Sequence, residues 1–405
     1  MMQYTVPAPT DGLVTLPVGT LLAALATIPD PRRTHGTRYS LASILALVIT
    51  AILTNHTAVL AMTQWIAHQP TAFRRTLGFT RMTTPHQTTV QRVLQQVAPI
   101  AVVAALRRVL DPQEPGVVRA RGSQGVALDG KAQRGRHHDP DVASSVDVVT
   151  ALCHGVGGLL GQTVVQAPVE AEQTVVPAVI AQVDWTGRVL TGDAASCQTT
   201  ICIQVVAAGG DYLVRVKANQ PTLFADIQQV FTPLTAEEQA RSGIHTVHPL
   251  PMHTARTVVK AHGRIEERTI RVTSELAAYS RWPHLAQVCE ITRTWTGRGK
   301  TRTAVRYAVT SLPASVCGPA AVLALFRGHW QIENGLHYVK DVTLGEDRCQ
   351  TRVGAGADVF ALLRTVVVSI LRQAGCATIA ACLRYCTSHP TAARTLLGIA
   401  LPENA

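Results

Sequence analysis

Between Phe326 and Arg352 the chain reads FRGHWQIENGLHYVKDVTLGEDRCQTR, which gathers an acid, two histidines, an indole and several cations into one short stretch. Spacings of three, four, seven and eight return to the same face of a helix. His329, Glu333, His337 and Lys340 are therefore expected on one stripe. Leu325, Ile332, Leu336 and Val339 fall on the adjoining stripe, where they can face a core. A carboxylate flanked by bases on an open helix face suits phosphoryl transfer. A solvated, salt-bridged face is the plainer alternative.

Two more carboxylates stand far upstream. In GVALDGKAQRGR the apolar run Gly125 to Leu128 predicts a buried strand ending at Asp129, followed by Lys131, Arg134, Arg136, His137 and His138. An acid at a strand end beside cations can hold a metal while the cations hold phosphates. A simple Asp-Gly turn is the alternative. In RVLTGDAASCQ a second apolar run ends in Asp193, and small residues follow. A helix is expected over 198–208, then a strand in DYLVRVKANQPTL, alternating at Tyr212, Val214 and Val216. It ends in Lys217, Asn219 and Gln220, side chains that bond phosphate oxygens and bases.

The blocks LDGKAQRGR, GDAASCQ, GGDYLVRVKANQPTL, HGRIEERTIR, YAVTSL and HWQIENGLHYVKDVTLGEDR occur in this order. Together they resemble the H-repeat-associated, ISAs-type bacterial transposases of the DDE class. The segment IPDPRRTHGTRYSLASILALVITAIL resembles the domain that precedes the catalytic region in that family, so the likeness covers residues 25–375. It implies three metal-binding acids at Asp129, Asp193 and Glu333, holding two magnesium ions for which manganese can substitute. The wider group shows Tyr-x2-Arg-x3-Glu-x6-Lys around its last acid. Here those places hold Phe326, His329, Glu333 and Lys340, and Arg327 is the candidate for the missing guanidinium.

The chemistry implied is hydrolysis of a phosphodiester at the ends of an insertion sequence, followed by strand transfer into target DNA. Three carboxylates suit two hard cations that take oxygen ligands. Contacts to DNA or phosphate are expected from Lys131, Arg134, Lys217, Asn219, Gln220, Arg264, Arg268, Arg327, His329, Asn334, His337 and Lys340. A zinc site at His329 and His337 is set aside, because they flank a carboxylate and no second His/Cys pair appears. In HGRIEER, Arg264 and Arg268 either track DNA or belong to a hairpin with cross-strand ion pairs to Glu266 and Glu267. Trp330 and Tyr338 either stack on a flipped base or pack in a core. A catalytically inactive DNA-binding relative, or a metal-dependent nuclease without strand transfer, are the alternative functions.

Bulk properties agree with a polyanion partner. The 405 residues carry a net charge of +11, and the isoelectric point is about 9.5. From Thr254 to Thr310 there are 11 Lys+Arg against 4 Asp+Glu. Nine cysteines without a CxxC pair read as reduced, mostly buried thiols, including Cys376, Cys382 and Cys386, in a reducing cytosol. No export signal is recognised. The apolar run Leu41 to Leu53 is shorter than the ~18–20 residues of a spanning helix and reads as a buried one. These features predict a cytoplasmic protein without membrane contact, and the resemblance implies a nucleoid-associated homodimer on double-stranded DNA at terminal inverted repeats and target.

The expected fold class is α/β, a ribonuclease H-like catalytic domain with an inserted β-rich domain, preceded by an all-α domain. Residues 1–115 form the helical N-terminal domain, expected to bind DNA ends, with Ser40 capping a helix and TTPHQTTVQRVLQQV starting another after a proline. Residues 120–225 and 313–375 form the two parts of the ribonuclease H-like core, with a hairpin over 146–166 and a helix over 174–183. Residues 226–312 form the basic inserted domain, with strands over 254–261, 264–272, 286–296 and 302–310. Residues 376–405 form a helical tail.

Overall fold

The protein is described from a computed structural model that covers residues 14–17, 19–33, 37–81, 83–111, 119–134, 147–165, 172–232, 250–261, 263–297 and 299–399. Arg136, His137, His138 and His262 lie outside the described residues, as do residues 112–118 of the Pro/Gly/Arg linker expected over 112–125. The chain divides into two compact units. One comprises residues 1–115, 130–183 and 331–405, the other residues 116–129 and 184–330.

The first, helical unit opens with α1 (Thr20–Ala26), α2 (Leu41–Leu53), α3 (Val59–Ala67), α4 (Thr71–Thr76), α5 (Gln87–Gln96) and α6 (Pro99–Leu110). Ser40 starts α2 as expected, its Oγ accepting the Ser43 N–H at 3.0 Å. Every residue of α2 except Ala42 is buried, so its uniform apolarity serves a core on all sides. Pro99 opens α6, where a missing N–H costs nothing. The hairpin β2 (Val148–Cys153) and β3 (Leu159–Val164) forms where alternation placed it. Gly155 and Gly157 turn it with φ of 77° and 65°. Helix α7 (Glu172–Ile180) covers β2 and β3.

Late in the chain come α11 (Gly356–Gln373), α12 (Ile379–Ser388) and α13 (Pro390–Leu396). Helix α11 is buried from Gly356 to Leu371 and packs on α2, α5, α6 and β3. The N-terminal helices thus share a core with the hairpin and the last long helix rather than standing alone. Cys376 and Cys382, expected as thiols, are joined in a disulfide, their Cα atoms 6.4 Å apart. The left-handed Gly375 (φ 87°) turns α11 back toward α12 and brings them together. The other described cysteines are free, and all but the half-exposed Cys349 are buried.

The second, sheet unit holds β1 (Gln124–Lys131, its last two residues in the helical unit), β4 (Arg188–Gly192), β5 (Asp211–Val216), β6 (His253–Ala261), β7 (Arg264–Thr273), β8 (Gln287–Gly297) and β9 (Lys300–Thr310). β1, β4 and β5 run parallel, and β9 pairs antiparallel with β5, followed by β8, β7 and β6. The strands of 226–312, expected as a separate inserted domain, therefore extend this sheet directly. The physical reason is register: Leu213 to Val216 pair residue for residue with Thr310 to Tyr307. Helices α8 (Thr199–Ala207), α9 (Pro221–Phe231) and α10 (Pro319–Gly328) flank the sheet. α10 lies on β4 to β7, closing a core of Val189, Leu213, Ile270, Ile291 and Leu323. Among the described residues no single helix is long and apolar enough to cross a membrane.

Candidate active site

The backbone of β1 and β4 sets the two aspartates. Gly125–Leu128 are buried, and Asp129 is half-buried where the strand leaves the core. The strand runs on to Lys131, so Asp-Gly is not a turn here. Ala127 pairs in parallel with Thr191, and Asp129 and Asp193 each follow their partner by two residues. Parallel strands lie about 4.8 Å apart, and residues in step project to the same side. Carried past its last paired residues, that register puts Asp129 on β1 in step with Asp193, which lies in the turn just after β4. Asp193 accepts the Ala195 N–H at 2.7 Å, which fixes one oxygen in a tight turn. Gly192 permits that turn, since a Cβ there would meet Ser196 Cβ at 2.4 Å.

Gly192 also pairs with Val214, so Arg215 on β5 falls in step with Asp193. Burial holds the Arg215 guanidinium below its ordinary pKa, Arg306 adding to this and Asp193 opposing it. Its Nε is buried without a partner among the described residues. Sequence reading passed over Arg215 because it followed the alternation Tyr212, Val214, Val216. The same alternation places Arg215 on the opposite face, which was the available signal.

His329, just after α10, is buried, with Nδ1 3.2 Å from the Thr191 carbonyl. Burial lowers its pKa, while Asp193 and the Thr191 carbonyl pull the other way. A buried neutral imidazole is not the phosphate-binding cation expected from sequence. Asn219 and Gln220 also differ from expectation: their amide nitrogens donate to the Ala194 and Cys197 carbonyls at 2.7 and 2.9 Å. They brace the loop after Asp193. Lys217 is exposed at the end of β5. The Cys197 thiol in that loop is pushed up to about 12 by burial, with the charge of Asp193 adding to it.

The face of β7–β9 carries a second cluster. Glu266 binds Arg268 and Arg293 closely, and Arg264 stands 3.9 Å away. Arg293 lies 4.9 Å over Trp295 and 5.9 Å over Trp330, and Arg306 lies 5.7 Å over Trp330. The ion pairs of HGRIEER are therefore present, though Arg264 and Arg268 reach Glu266 along their own strand. The cross-strand pairs are Arg293–Glu266 and Arg256–Glu267. Arg327 is exposed on α10.

In the helical unit, Glu333 and Asn334 are exposed, Tyr338 is exposed and His337 is half-buried. Glu333 opens a π-helical stretch, Glu333–His337, followed by a second, Val339–Thr343. The wider turn breaks the 3.6-residue period, and the expected common stripe dissolves. Lys340 is fully buried, 3.2 Å from Glu346. Lys131 donates to Asp341 at 2.7 Å and to the Ala132 carbonyl at 3.3 Å. Both lysines are thus engaged inside the fold, contrary to a phosphate role. Arg134 is exposed, its backbone N–H on Asp347 at 3.2 Å. Among the described residues no three of His, Cys, Asp and Glu are grouped so as to hold a metal ion. Arg215 and His329 both feel the charge of Asp193. Glu333 belongs to the other unit.

A mixed sheet flanked by helices fits the match of residues 120–370 to the transposase DDE domain. Residues 22–109 match the domain associated with it. The chain belongs to the DDE transposase family. Among its relatives are proteins described as H-repeat-associated transposases. It is 26% identical over 363 residues to the "H repeat-associated putative transposase YhhI" of Escherichia coli K12, covering 87% of this chain and 90% of that protein. It is 23% identical over 369 residues to the "Putative transposase YncI" of E. coli O157:H7, covering 88% of each. A protein from the dhlA 3′ region of Xanthobacter autotrophicus is 29% identical over 262 residues, 64% of this chain and 83% of the relative.

Proposed function

We propose that this transposase cuts DNA at the ends of its own insertion sequence and joins the freed 3′ end to target DNA. The observation that carries the reading is the place of Asp129 near the end of β1 and of Asp193 just past the end of its parallel neighbour β4. Two aligned carboxylates offer the oxygen donors that hard divalent ions require. Asp129, Asp193 and Glu333 would hold two such ions, magnesium or manganese, whose chemistry when bound is activation of water and stabilisation of the leaving 3′ oxygen. The third acid rests on the sequence resemblance. A hairpin following a central strand, and two further parallel strands beside it, support a ribonuclease H-like core.

The chain's own groups have separable tasks. Arg215 offsets the charge of the aspartates. His329, neutral and anchored on Thr191, holds the end of α10 beside β4. Asn219 and Gln220 keep the Asp193 loop in shape. Lys217, Arg134 and Arg327, all exposed, are the cations available to phosphates. The partners in this reading are terminal inverted repeats and target DNA, with a homodimer acting on them in the bacterial nucleoid.

The test uses a labelled duplex carrying the element's own end. Magnesium or manganese should support nicking, and calcium should support binding with little cleavage. Asp193→Asn and Asp129→Asn should abolish nicking while binding persists, because losing an acid lowers repulsion of phosphates. Cleavage by both variants, or cleavage surviving a chelator, would overturn the mechanism.

A further inference from the structure

The helical unit has a charge pattern that the cutting chemistry does not use. Residues 19–110 contain nine arginines and a single acid, Asp30. Asp30 is engaged by Arg32 through bonds of 2.8 and 2.6 Å. Arg74 is bonded to Thr71, and Arg107 to the Gln182 carbonyl. Arg38, Arg75, Arg81 and Arg92 are exposed, and none of them is in an ion pair among the described residues.

The packing joins the segments that carry Arg38 and Arg81 just ahead of one helix. The Tyr39 and Thr83 hydroxyls are 3.0 Å apart, and the Tyr39 ring meets Phe79 edge-on at 5.8 Å. Gly78 fits against Ser43, where a Cβ would come within 2.4 Å of Oγ. The entry to α2, bearing Arg38, is thereby joined to the 77–86 loop, which follows Arg75, bears Arg81 and leads into α5. On α5 itself Val90, Val93 and Leu94 are buried. The Gln95 carbonyl accepts the Ala355 N–H at 3.1 Å, which anchors the end of the helix. Its first two turns leave Thr88 and Arg92 exposed and Gln91 half-exposed.

Those three side-chain types read base edges: a guanidinium suits guanine, a carboxamide suits adenine, and a threonine methyl suits thymine. Ten residues make a helix about 15 Å long, and the major groove is about 12 Å wide. We infer that α5 reads the sequence of double-stranded DNA through Thr88, Gln91 and Arg92, with Arg38, Arg75 and Arg81 on flanking phosphates. This rests on the end-cutting function proposed above and names the surface that finds the end.

The full chain is titrated by fluorescence anisotropy, in calcium, with a duplex bearing the element's terminal sequence and with a scrambled duplex of equal length. Gln91→Ala and Arg92→Ala should each reduce the preference for the terminal duplex by ~10-fold, while affinity for the scrambled one changes little. Arg92→Lys, which keeps the charge and loses the fork, should lose the preference as well. Replacing Arg38, Arg75 and Arg81 by alanine should weaken both duplexes alike and lower the salt slope by ~3 units, one per contact. Wild-type preference in the Gln91 and Arg92 variants overturns the inference, as does equal loss on both duplexes, which an acidic partner of another kind would also give. Nicking of the terminal duplex by the wild-type chain in magnesium is scored separately. Its absence alongside an intact preference would overturn the cutting reaction and leave α5 as the reader.

Discussion

Glu266 in the sheet unit and Glu346 in the helical unit each sit among three cations, and burial separates their roles. Around the buried Glu266 the arginine side chains keep part of their exposure, Arg264 at 47%, Arg268 at 18% and Arg293 at 19%. Around Glu346, Lys340 and Arg364 are nearly sealed, and Lys131 is 8% exposed. Guanidiniums at a surface can turn unused donor edges toward a phosphate. Ammonium groups in a dry interior cannot, and removing such ions from water costs several kcal/mol each. Composition alone makes the two clusters look equivalent. The accessible one is suited to binding, and the sealed one ties the end of β1, the π-helical stretch and α11 into one unit.

The largest effect should come from Glu346→Gln, which leaves the buried Lys340 and Arg364 without their carboxylate, while Lys131 keeps Asp341. A loss of ~3–5 kcal/mol is expected in urea denaturation. A loss under ~1 kcal/mol would mean that water reaches the cluster, and the contrast would collapse. Lys340→Met should cost less, because Lys131 and Arg364 still attend Glu346. It also sharpens the pH behaviour. Burial holds the Lys340 ammonium below its ordinary 10.5, Glu346 opposing the shift. Between that lowered folded value and 10.5 the unfolded chain binds more protons, so stability should rise with pH across the window. Lys340→Met should flatten that rise, and an unchanged pH profile would place the titration elsewhere.

Glu266→Gln should cost less stability than Glu346→Gln, because its arginine partners keep part of their exposure to water. Its mark should be on DNA: tighter binding by a few-fold, with a steeper salt slope, because the released guanidiniums become free to meet phosphate. Unchanged affinity would show that this face does not bind DNA. Arg256→Ala, which breaks the exposed Arg256–Glu267 pair on the opposite face, should leave both the melting midpoint and the salt slope unchanged.

Strand positions were legible because apolar alternation is local: the hairpin and the four strands of 253–310 fall within a few residues of expectation. The apolar runs before Asp129 and Asp193 were legible as strands, although β1 runs two residues past Asp129. The helix around Glu333 was not, because a π turn has no period that a 3.6-residue stripe can capture. Lys131 and Lys340 misled for a related reason. A lysine beside a candidate site looks like a phosphate ligand until Asp341 and Glu346, distant in sequence from Lys131, are seen to claim it. Arg215 and the bracing amides of Asn219 and Gln220 depend on neighbours across strands and loops, which spacing along one chain does not encode. The union of 226–312 with β5 was hidden likewise, since strand pairing is a matter of partners rather than pattern.

That union has a consequence for anyone trimming the protein to a catalytic minimum. With residues 253–310 cut away, the outer amides and carbonyls of Leu213 to Val216 would lose their β9 partners. They would become a raw, apolar margin, free to recruit the same margin of a second molecule. A shortened chain should therefore be recovered as insoluble aggregate, whatever the intrinsic competence of its two aspartates.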